Sequence, residues 1–275
     1  MSRTELGPRR AEAAPVAVPI GPRTAAVLAV GSLAGLMMLC WPLLLAAEPG
    51  QRVEPPFVFL ALLPLVMVVV LAEMGEGGMD SRVLAVLGVL SAVNAIMRGL
   101  GAGTAGIELV FFLLVLGGRV FGAAFGFALG CTSLFASALL TAGVGPWLPF
   151  QMICAAWVGM GAGLLPRRVG GRAEIAMLAA YAVVASYLYG ILMNLSAWPF
   201  ALGIAVPGHE GSLAYVAGAP VLENLHRFGV YTLLTSTGGW DTGRAITTAI
   251  AIVVLGPAIL TTLRRAARRA VVRPG

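Results

Sequence analysis

The sequence predicts an all-α polytopic membrane protein with about eight transmembrane helices. Of its 275 residues, 59% are hydrophobic and only 11% are charged. Apolar runs close to the length of a membrane-spanning helix recur along the chain, and the mean hydropathy is +0.93. Together these observations exclude an ordinary soluble domain.

The charged and metal-binding residue types exclude several functions. All 18 basic residues are arginines and the formal net charge is +6, which indicates membrane orientation and contact with lipid headgroups. No basic face remains for nucleic acid once the arginines are placed in loops. Cys40, Cys131 and Cys154 lie in apolar runs without metal-ligand spacing, and His209 and His226 lack a third ligand nearby. We therefore expect this chain to bind no metal and no cofactor.

The chain divides into four predicted regions. Residues 1–23 form a disordered cytoplasmic tail, rich in arginine, alanine and proline. Residues 24–81 form an extra N-terminal transmembrane hairpin and a cytoplasmic loop, 82–263 hold six further spans, and 264–275 form a basic cytoplasmic tail. The predicted spans are 24–47, 57–72, 82–97, 107–117, 120–141, 147–165, 173–196 and 242–263.

The arginine distribution orients these spans. An even number of spans returns the C-terminus to the starting side, and most arginines then lie in cytoplasmic loops and tails. The exceptions are Arg52, Arg98, Arg227 and Arg244. This predicts a multi-pass protein of the cell membrane, in contact with the lipid bilayer, with both termini in the cytoplasm.

Two segments fit this topology less simply. Residues 107–117 are short for a hydrocarbon core of about 30 Å, so they need their glycine-rich flanks or a site that the protein shields. Residues 197–241 are long for a connection and are predicted to form an outer loop. Within them, 222–234 is predicted as a surface, re-entrant or lid helix, because a ninth span would put the C-terminal arginines outside.

Small residues at four-residue spacing predict close helix packing. In lipid, such residues let two backbones approach, and dispersion contacts replace the hydrophobic drive. Packing is the simpler interpretation, and sliding against a partner subunit is the alternative. The two ladders are Gly118, Gly122, Gly126 and Gly130, followed by Ala155, Gly159 and Gly163.

Polar residues gather toward the outer ends of several predicted spans. Polar groups in spans are costly and mark functional sites, and amides, aromatic rings and a charged pair suit a pocket for a small molecule. Simpler interpretations are an interfacial aromatic belt, a mutual Arg98–Glu108 pair, and hydrogen bonds between helices. The candidate substrate-binding residues are Asn94, Arg98, Glu108, Trp147, Gln151, Tyr187, Asn194 and Trp198.

No catalytic motif is visible. The chain lacks GxxxxGK[ST], HExxH and GxSxG patterns, and no series of acids or histidines crosses the predicted membrane core. We therefore expect no enzyme activity and no catalytic residue. If transport is driven by ATP, the ATPase must be another polypeptide.

Residues 82–168 resemble a known family. A helix with Ala85, Gly88, Ala92 and Ala95 precedes Gly-Gly-Arg-Val-Phe-Gly at 117–122, Gly-Pro-Trp-Leu-Pro-Phe-Gln-Met at 145–152 and Gly-Ala-Gly-Leu-Leu at 161–165. This order resembles the substrate-binding S components of energy-coupling factor (ECF) transporters, closest to their vitamin and cobalamin-type members.

The resemblance implies a six-helix core over 82–263, preceded here by the extra hairpin. It also implies a transmembrane T component and two cytoplasmic ATPases that use ATP. Their docking face would include Ala85, Gly88 and Ala92, where Gly88-x-x-x-Ala92 is the nearest match to the family's Ala-x-x-x-Ala motif. Arg119 departs from the family, which has an uncharged residue there.

The expected function is therefore capture of a vitamin or vitamin precursor, with a corrinoid as first guess, in an outward-facing pocket. A stand-alone secondary permease is the alternative, and a membrane enzyme or assembly factor is a third. A permease would favour an ionisable residue at mid-membrane and a repeated half, and neither is visible.

Overall fold

A computed structural model describes residues 20–44, 79–101, 106–200 and 212–271, with positions 18, 64, 67, 68, 71 and 72. Throughout these residues the regular secondary structure is helical. The helices are α1 (Pro22–Leu39), α2 (Trp41–Leu44), α3 (Ser81–Gly101), α4 (Val110–Phe121), α5 (Ala123–Leu140), α6 (Leu148–Leu164), α7 (Gly171–Ala197), α8 (Val221–Thr232) and α9 (Thr242–Val271). A 3₁₀ turn, Trp198–Phe200, follows α7, and a π-helical segment, Leu233–Asp241, joins α8 to α9.

Several helices are long and apolar enough to cross a membrane. Within the described ranges there are five: Pro22–Leu39, Ser81–Gly99, Ala123–Leu140, Gly171–Phe200 and Val221–Ala270. Helices α4 and α6 are apolar but shorter. This confirms the all-helical, polytopic, membrane-embedded class. Most of the predicted span 57–72 and the tail 1–17 lie outside the described residues.

Helix α4 lies at the centre of the bundle. All 12 of its residues are buried, and it packs against α5, α6 and α9. The protein thus shields the segment that looked too short to span a bilayer. The outer helices instead expose large apolar side chains, including Val93 on α3, Leu188 on α7 and Val254 on α9. Such surfaces suit contact with lipid tails.

The small-residue ladders bring α5 and α6 into backbone contact. A Cβ added at Gly126 would overlap the carbonyl oxygen of Gly159, and one at Gly130 would overlap the backbone of Ala156. A Cβ at Gly163 would meet the Ala123 backbone. These positions tolerate only glycine because no space remains between the two helices.

One detail of the first ladder differs from the prediction. Gly122 has φ +112° and separates α4 from α5, so the four glycines do not share one helix face. Gly118 lies on α4, where an added Cβ would meet the Gly159 carbonyl oxygen. Gly159 therefore receives close contacts from α4 and from α5, and the ladder joins three helices.

The structure adds helix boundaries to two predicted regions. The outer loop predicted over 197–241 is helical from Val221 onward, and α8, the π-helical segment and α9 form one helix of 50 residues, Val221–Ala270. No proline occurs between Pro220 and Pro257 to stop it. The basic tail predicted from 264 is also helical, since α9 continues to Val271.

Helix α1, from the predicted extra hairpin, packs onto the rest of the bundle. The indole Nε1 of Trp157 on α6 donates a hydrogen bond of 3.0 Å to Ser32 Oγ on α1. A Cβ at Gly35 would press on Ile153 of α6. The first span is therefore a packed part of the membrane domain.

Candidate ligand-binding site

A cavity of about 290 Å³ opens at the end of the bundle where α3 ends and α4 and α6 begin. We call this the cavity end. The C-terminal part of α7 and the π-helical segment complete the walls. Its lining combines charged, amide and aromatic side chains, which is the composition of a site for a small polar molecule.

A buried ion cluster forms one wall of this cavity. Arg244 Nε lies 2.6 Å from Glu108 Oε2, and Nη1 lies 3.1 Å from Asp241 Oδ1. Ser236 Oγ donates to the other oxygen of Asp241 at 2.8 Å. Asp241 is 1% exposed and Arg244 is 7% exposed. Each buried charge therefore has an opposite charge in contact, as burial requires.

Aromatic rings support the same guanidinium. Cζ of Arg244 lies 4.8 Å from the centre of the Tyr189 ring and 5.5 Å from that of Phe111. The two rings meet edge to face at 5.0 Å. These cation–π contacts position Arg244 between α4 and α7.

The π-helical segment places Asp241 in the cavity. This segment has nine residues, and Thr235, Ser236 and Trp240 also line the cavity. The carboxylate of Asp241 comes so close to α7 that a Cβ at Gly190 would overlap it. Extended π-helix is rare and occurs often at functional sites, because its wider turn re-aims side chains.

Hydrogen bonds join α3 to α5 beside the cavity. Arg98 Nη1 donates to Ser137 Oγ at 3.2 Å, and one turn earlier Asn94 Nδ2 donates to Ser133 Oγ at 3.0 Å. Ser91 and Thr132 share a further bond of 2.6 Å. These polar pairs connect the helices within the apolar environment.

The structure brings four of the eight predicted residues into the cavity lining: Arg98, Glu108, Gln151 and Asn194. Arg98 Nη2 donates to Gln151 Oε1 at 3.1 Å. Glu108 is paired with Arg244, not with Arg98 as the simpler interpretation had it. Asn194 Nδ2 is buried and has no hydrogen-bond acceptor among the described residues.

The other four predicted residues lie outside the cavity. Asn94 is fully buried between α3 and α5, and Tyr187 is hydrogen-bonded to Thr242 at 2.9 Å. Trp147 is 53% exposed and directly precedes the first residue of α6. Trp198 is 0% exposed, and its Nε1 donates to the Leu213 carbonyl at 2.8 Å.

Several cavity residues were not predicted. Asp241 and Arg244 were assigned to a loop and to a span end, although their i,i+3 spacing is that of an ion pair on a helix. Tyr189, Tyr231 and Trp240 also line the cavity. No spacing in the sequence distinguishes these rings from lipid-facing aromatic residues.

A second polar cluster occupies the opposite end of the bundle. Arg119 Nε lies 2.7 Å from Glu174 Oε1, and Arg264 Nη2 lies 2.6 Å from the same oxygen. Arg119 also donates to the carbonyl oxygens of Leu165, Pro166 and Val169. Arg119 thus anchors the loop between α6 and α7. In that loop, burial and the charge of Arg119 lower the pKa of Arg167.

The two clusters mark the boundaries of an apolar slab. Between Arg244 and Arg264, α9 carries no charged residue over roughly twenty positions, which is about 30 Å of helix. This length equals the hydrocarbon thickness of a bilayer. The cavity therefore lies at one end of an apolar region long enough to cross the hydrocarbon core of a bilayer.

The predicted docking residues lie on an uncovered face of α3. Ala85, Gly88 and Ala92 are exposed, and a Cβ at Gly88 would meet no atom within 4 Å. Exposed Val89 and Val93 lie beside them. This face contacts no other described helix.

Among the described residues, no group of three His, Cys, Asp or Glu side chains could hold a metal ion. In comparisons with known proteins, no protein family, no curated protein and no solved structure matches this chain.

Proposed function

We propose that this chain is the membrane-embedded substrate-capture subunit of an ATP-driven importer of the energy-coupling factor type. It binds a vitamin or vitamin precursor at Arg98, Gln151 and Asn194. The observation that carries the proposal is a cavity with charged, amide and aromatic walls at one boundary of an apolar helical bundle.

The shape of the bundle supports capture from one side. Helix α4 is buried along its whole length, and its N-terminal residues Val110 and Phe111 line the cavity. Apolar packing of α4 with α5 and α6 lies beyond them. A subunit that only captures substrate, while its partners supply the energy for transport, needs a binding site at one end of the bundle.

The orientation follows from the arginines. The end with Arg119, Arg167 and Arg264 is the basic one, and we place it in the cytoplasm. The cavity then faces outward, both termini are cytoplasmic, and eight spans include the N-terminal hairpin over 24–81.

The proposed partners are a T component and two ATPase subunits. The exposed small residues of α3 offer them a face on which another helix can approach closely. Gly88→Leu would block this approach without touching the chain's own packing, because no described atom lies near an added Cβ. We expect it to reduce co-purification with the partners and to leave thermal stability unchanged.

The decisive experiment is vitamin uptake into proteoliposomes that contain this chain with its T component and ATPases. Candidate vitamins are supplied outside, and ATP is enclosed with the ATPases. Uptake that requires hydrolysable ATP and both partner types supports the proposal. Uptake by the chain alone would identify a stand-alone permease and overturn it. Gly88→Leu serves as the assembly-deficient control.

The panel includes a corrinoid, which the family resemblance suggests. However, a corrinoid is far larger than the cavity of about 290 Å³ formed by the described residues. This volume is near the lower limit for small-molecule pockets. Compact vitamins and their precursors are therefore the favoured substrates.

A further inference from the structure

Of the two arginines at the cavity, only Arg244 contacts carboxylates of the described residues. Four charged residues line the cavity, namely Arg98, Glu108, Asp241 and Arg244. Both carboxylates contact Arg244, and Asp241 accepts a further bond from Ser236. The negative charges of this wall are thus already paired with a positive charge of the protein.

Arg98 has no such partner. Its guanidinium donates to the hydroxyl of Ser137 and to the amide oxygen of Gln151, both neutral groups, and it forms no ion pair within the described part of the chain. A guanidinium has five N–H donors and binds carboxylates through two parallel hydrogen bonds. Arg98 therefore presents at the cavity a guanidinium that touches no described carboxylate and has unused donors.

The two amides add donors beside it. Because a guanidinium only donates, the Gln151 oxygen must face Arg98, which leaves Nε2 of Gln151 as a donor for a ligand. Asn194 lines the cavity with Nδ2 buried and without an acceptor among the described residues. A buried donor without an acceptor is costly, and a ligand oxygen would remove that cost after a small side-chain rotation.

Taking the proposed function as the premise, we infer that the substrate is a compact organic monoanion. Its carboxylate binds Arg98 with help from Gln151 and Asn194, and its body lies against Tyr189, Tyr231 and Trp240.

A carboxylate fits better than a phosphate ester. The four charged residues sum to no net charge, and one of them, Arg98, contacts no described carboxylate. A carboxylate pairs with Arg98 and adds only one negative charge to the site. A phosphate dianion would add a second negative charge close to Glu108 and Asp241. Repulsion between like charges is stronger in the low-dielectric interior of a protein than in water, so this second charge would weaken binding.

The size of the cavity sets the size of the ligand. A cavity of about 290 Å³ encloses one or two rings with a short side chain. The aromatic side chains provide stacking surfaces for a planar or alicyclic body.

The test compares acids with their uncharged amides of the same shape. The full-length protein in lipid nanodiscs is titrated with nicotinate, nicotinamide, benzoate and benzamide, and binding is measured by calorimetry or ligand-observed NMR. We expect each acid to bind at least about tenfold more tightly than its amide, as for a charge-assisted contact.

Variants then assign the preference to Arg98. Arg98→Gln should reduce acid affinity by about tenfold and leave amide affinity unchanged, and Arg98→Lys should restore part of the acid preference. The matched control is Arg227→Gln, which removes an arginine from the exposed pair with Glu223 on α8, outside the cavity. It should keep the wild-type preference. If Arg98→Gln does not fold, Arg98→Lys and the wild-type acid–amide ratio still decide the matter.

Three outcomes would overturn the inference. They are amides that bind as tightly as the acids, acids that do not bind at millimolar concentration, and an acid preference that survives in a folded Arg98→Gln variant. These results are separable from the proposed function. ATP-dependent uptake of a neutral vitamin would keep the importer and reject the monoanion. An Arg98-dependent acid preference without partner-driven uptake would keep the monoanion site and reject the importer.

Discussion

Arg244 and Glu108 are 136 positions apart in sequence, yet Nε of Arg244 lies 2.6 Å from Oε2 of Glu108. The contact joins the start of α9 to the residues that lead into α4. The same guanidinium holds Asp241 at 3.1 Å. Arg244 therefore pairs with two carboxylates in the wall of the cavity.

This arrangement predicts unequal effects of substitution. Arg244→Met leaves two carboxylates without a counter-charge and should lower stability by about 3–5 kcal/mol, the cost of breaking a buried pair. Glu108→Gln keeps the Arg244–Asp241 contact and should cost less, about 1–3 kcal/mol. Thermal unfolding of both purified variants in one detergent measures this order. Equal melting temperatures would contradict the assignment of both carboxylates to Arg244.

The contacts of Arg119 predict a second effect, at the opposite end. Arg119→Met removes one of the two arginine partners of Glu174 and three hydrogen bonds that hold the α6–α7 loop. We expect a loss of about 3 kcal/mol or more and faster proteolytic cleavage in residues 165–170. Arg265→Met is the matched control on α9. Limited proteolysis with mass spectrometry reports the cleavage site, and an uncleaved, fully stable Arg119→Met variant would count against the anchor.

The close approach of α5 and α6 predicts that Gly159 cannot be replaced. In Gly159→Ala, the added Cβ would overlap the Gly126 carbonyl oxygen, and overpacking of this kind costs about 1–3 kcal/mol. Gly88→Ala is the control, because its Cβ meets open space and alanine favours a helix by about 0.5–1 kcal/mol. The melting temperature should fall for the first variant and stay level or rise for the second. The reverse order would refute the packing of α6 against α5.

Gly190 predicts a link between α7 and the cavity. Gly190→Ala would displace the Asp241 carboxylate and with it the Arg244 contact, so both stability and ligand affinity should fall. Gly229→Ala on α8 has open space around its Cβ, so it should leave ligand affinity unchanged and keep stability level or raise it. Calorimetric titration with the tightest-binding probe, together with thermal unfolding, distinguishes the two variants. Unchanged affinity in Gly190→Ala would show that the position of Asp241 does not shape the cavity.

Much of the helical organisation was predictable because helices that contact lipid have long, continuous apolar runs in the sequence. Apolar runs bounded by glycine, proline and arginine place α3, α5, α6 and α7 within a few residues. The junction between α8 and α9 was not predictable in this way. Gly238 and Gly239 indicate a turn, whereas hydrogen bonding in the π-helical segment carries the helix through them.

The site was predictable only in part, for a physical reason. An amide or a charge inside a span must find a partner, and this signal identified Arg98, Gln151 and Asn194. It does not tell which neighbour supplies the partner. Asn94 satisfies this need with Ser133, and Trp198 with the Leu213 carbonyl, so both turn away from the cavity.

The length of α4 explains why a cavity exists at all. Twelve residues make a rod of about 18 Å, well short of a hydrocarbon slab of about 30 Å. Arg119 fixes the C-terminal end of α4, so the missing length of helix falls at its N-terminal end, which is the cavity end. The ligand would occupy the volume that two further helical turns would have filled. Extending α4 by two turns should therefore fill the cavity and abolish ligand binding.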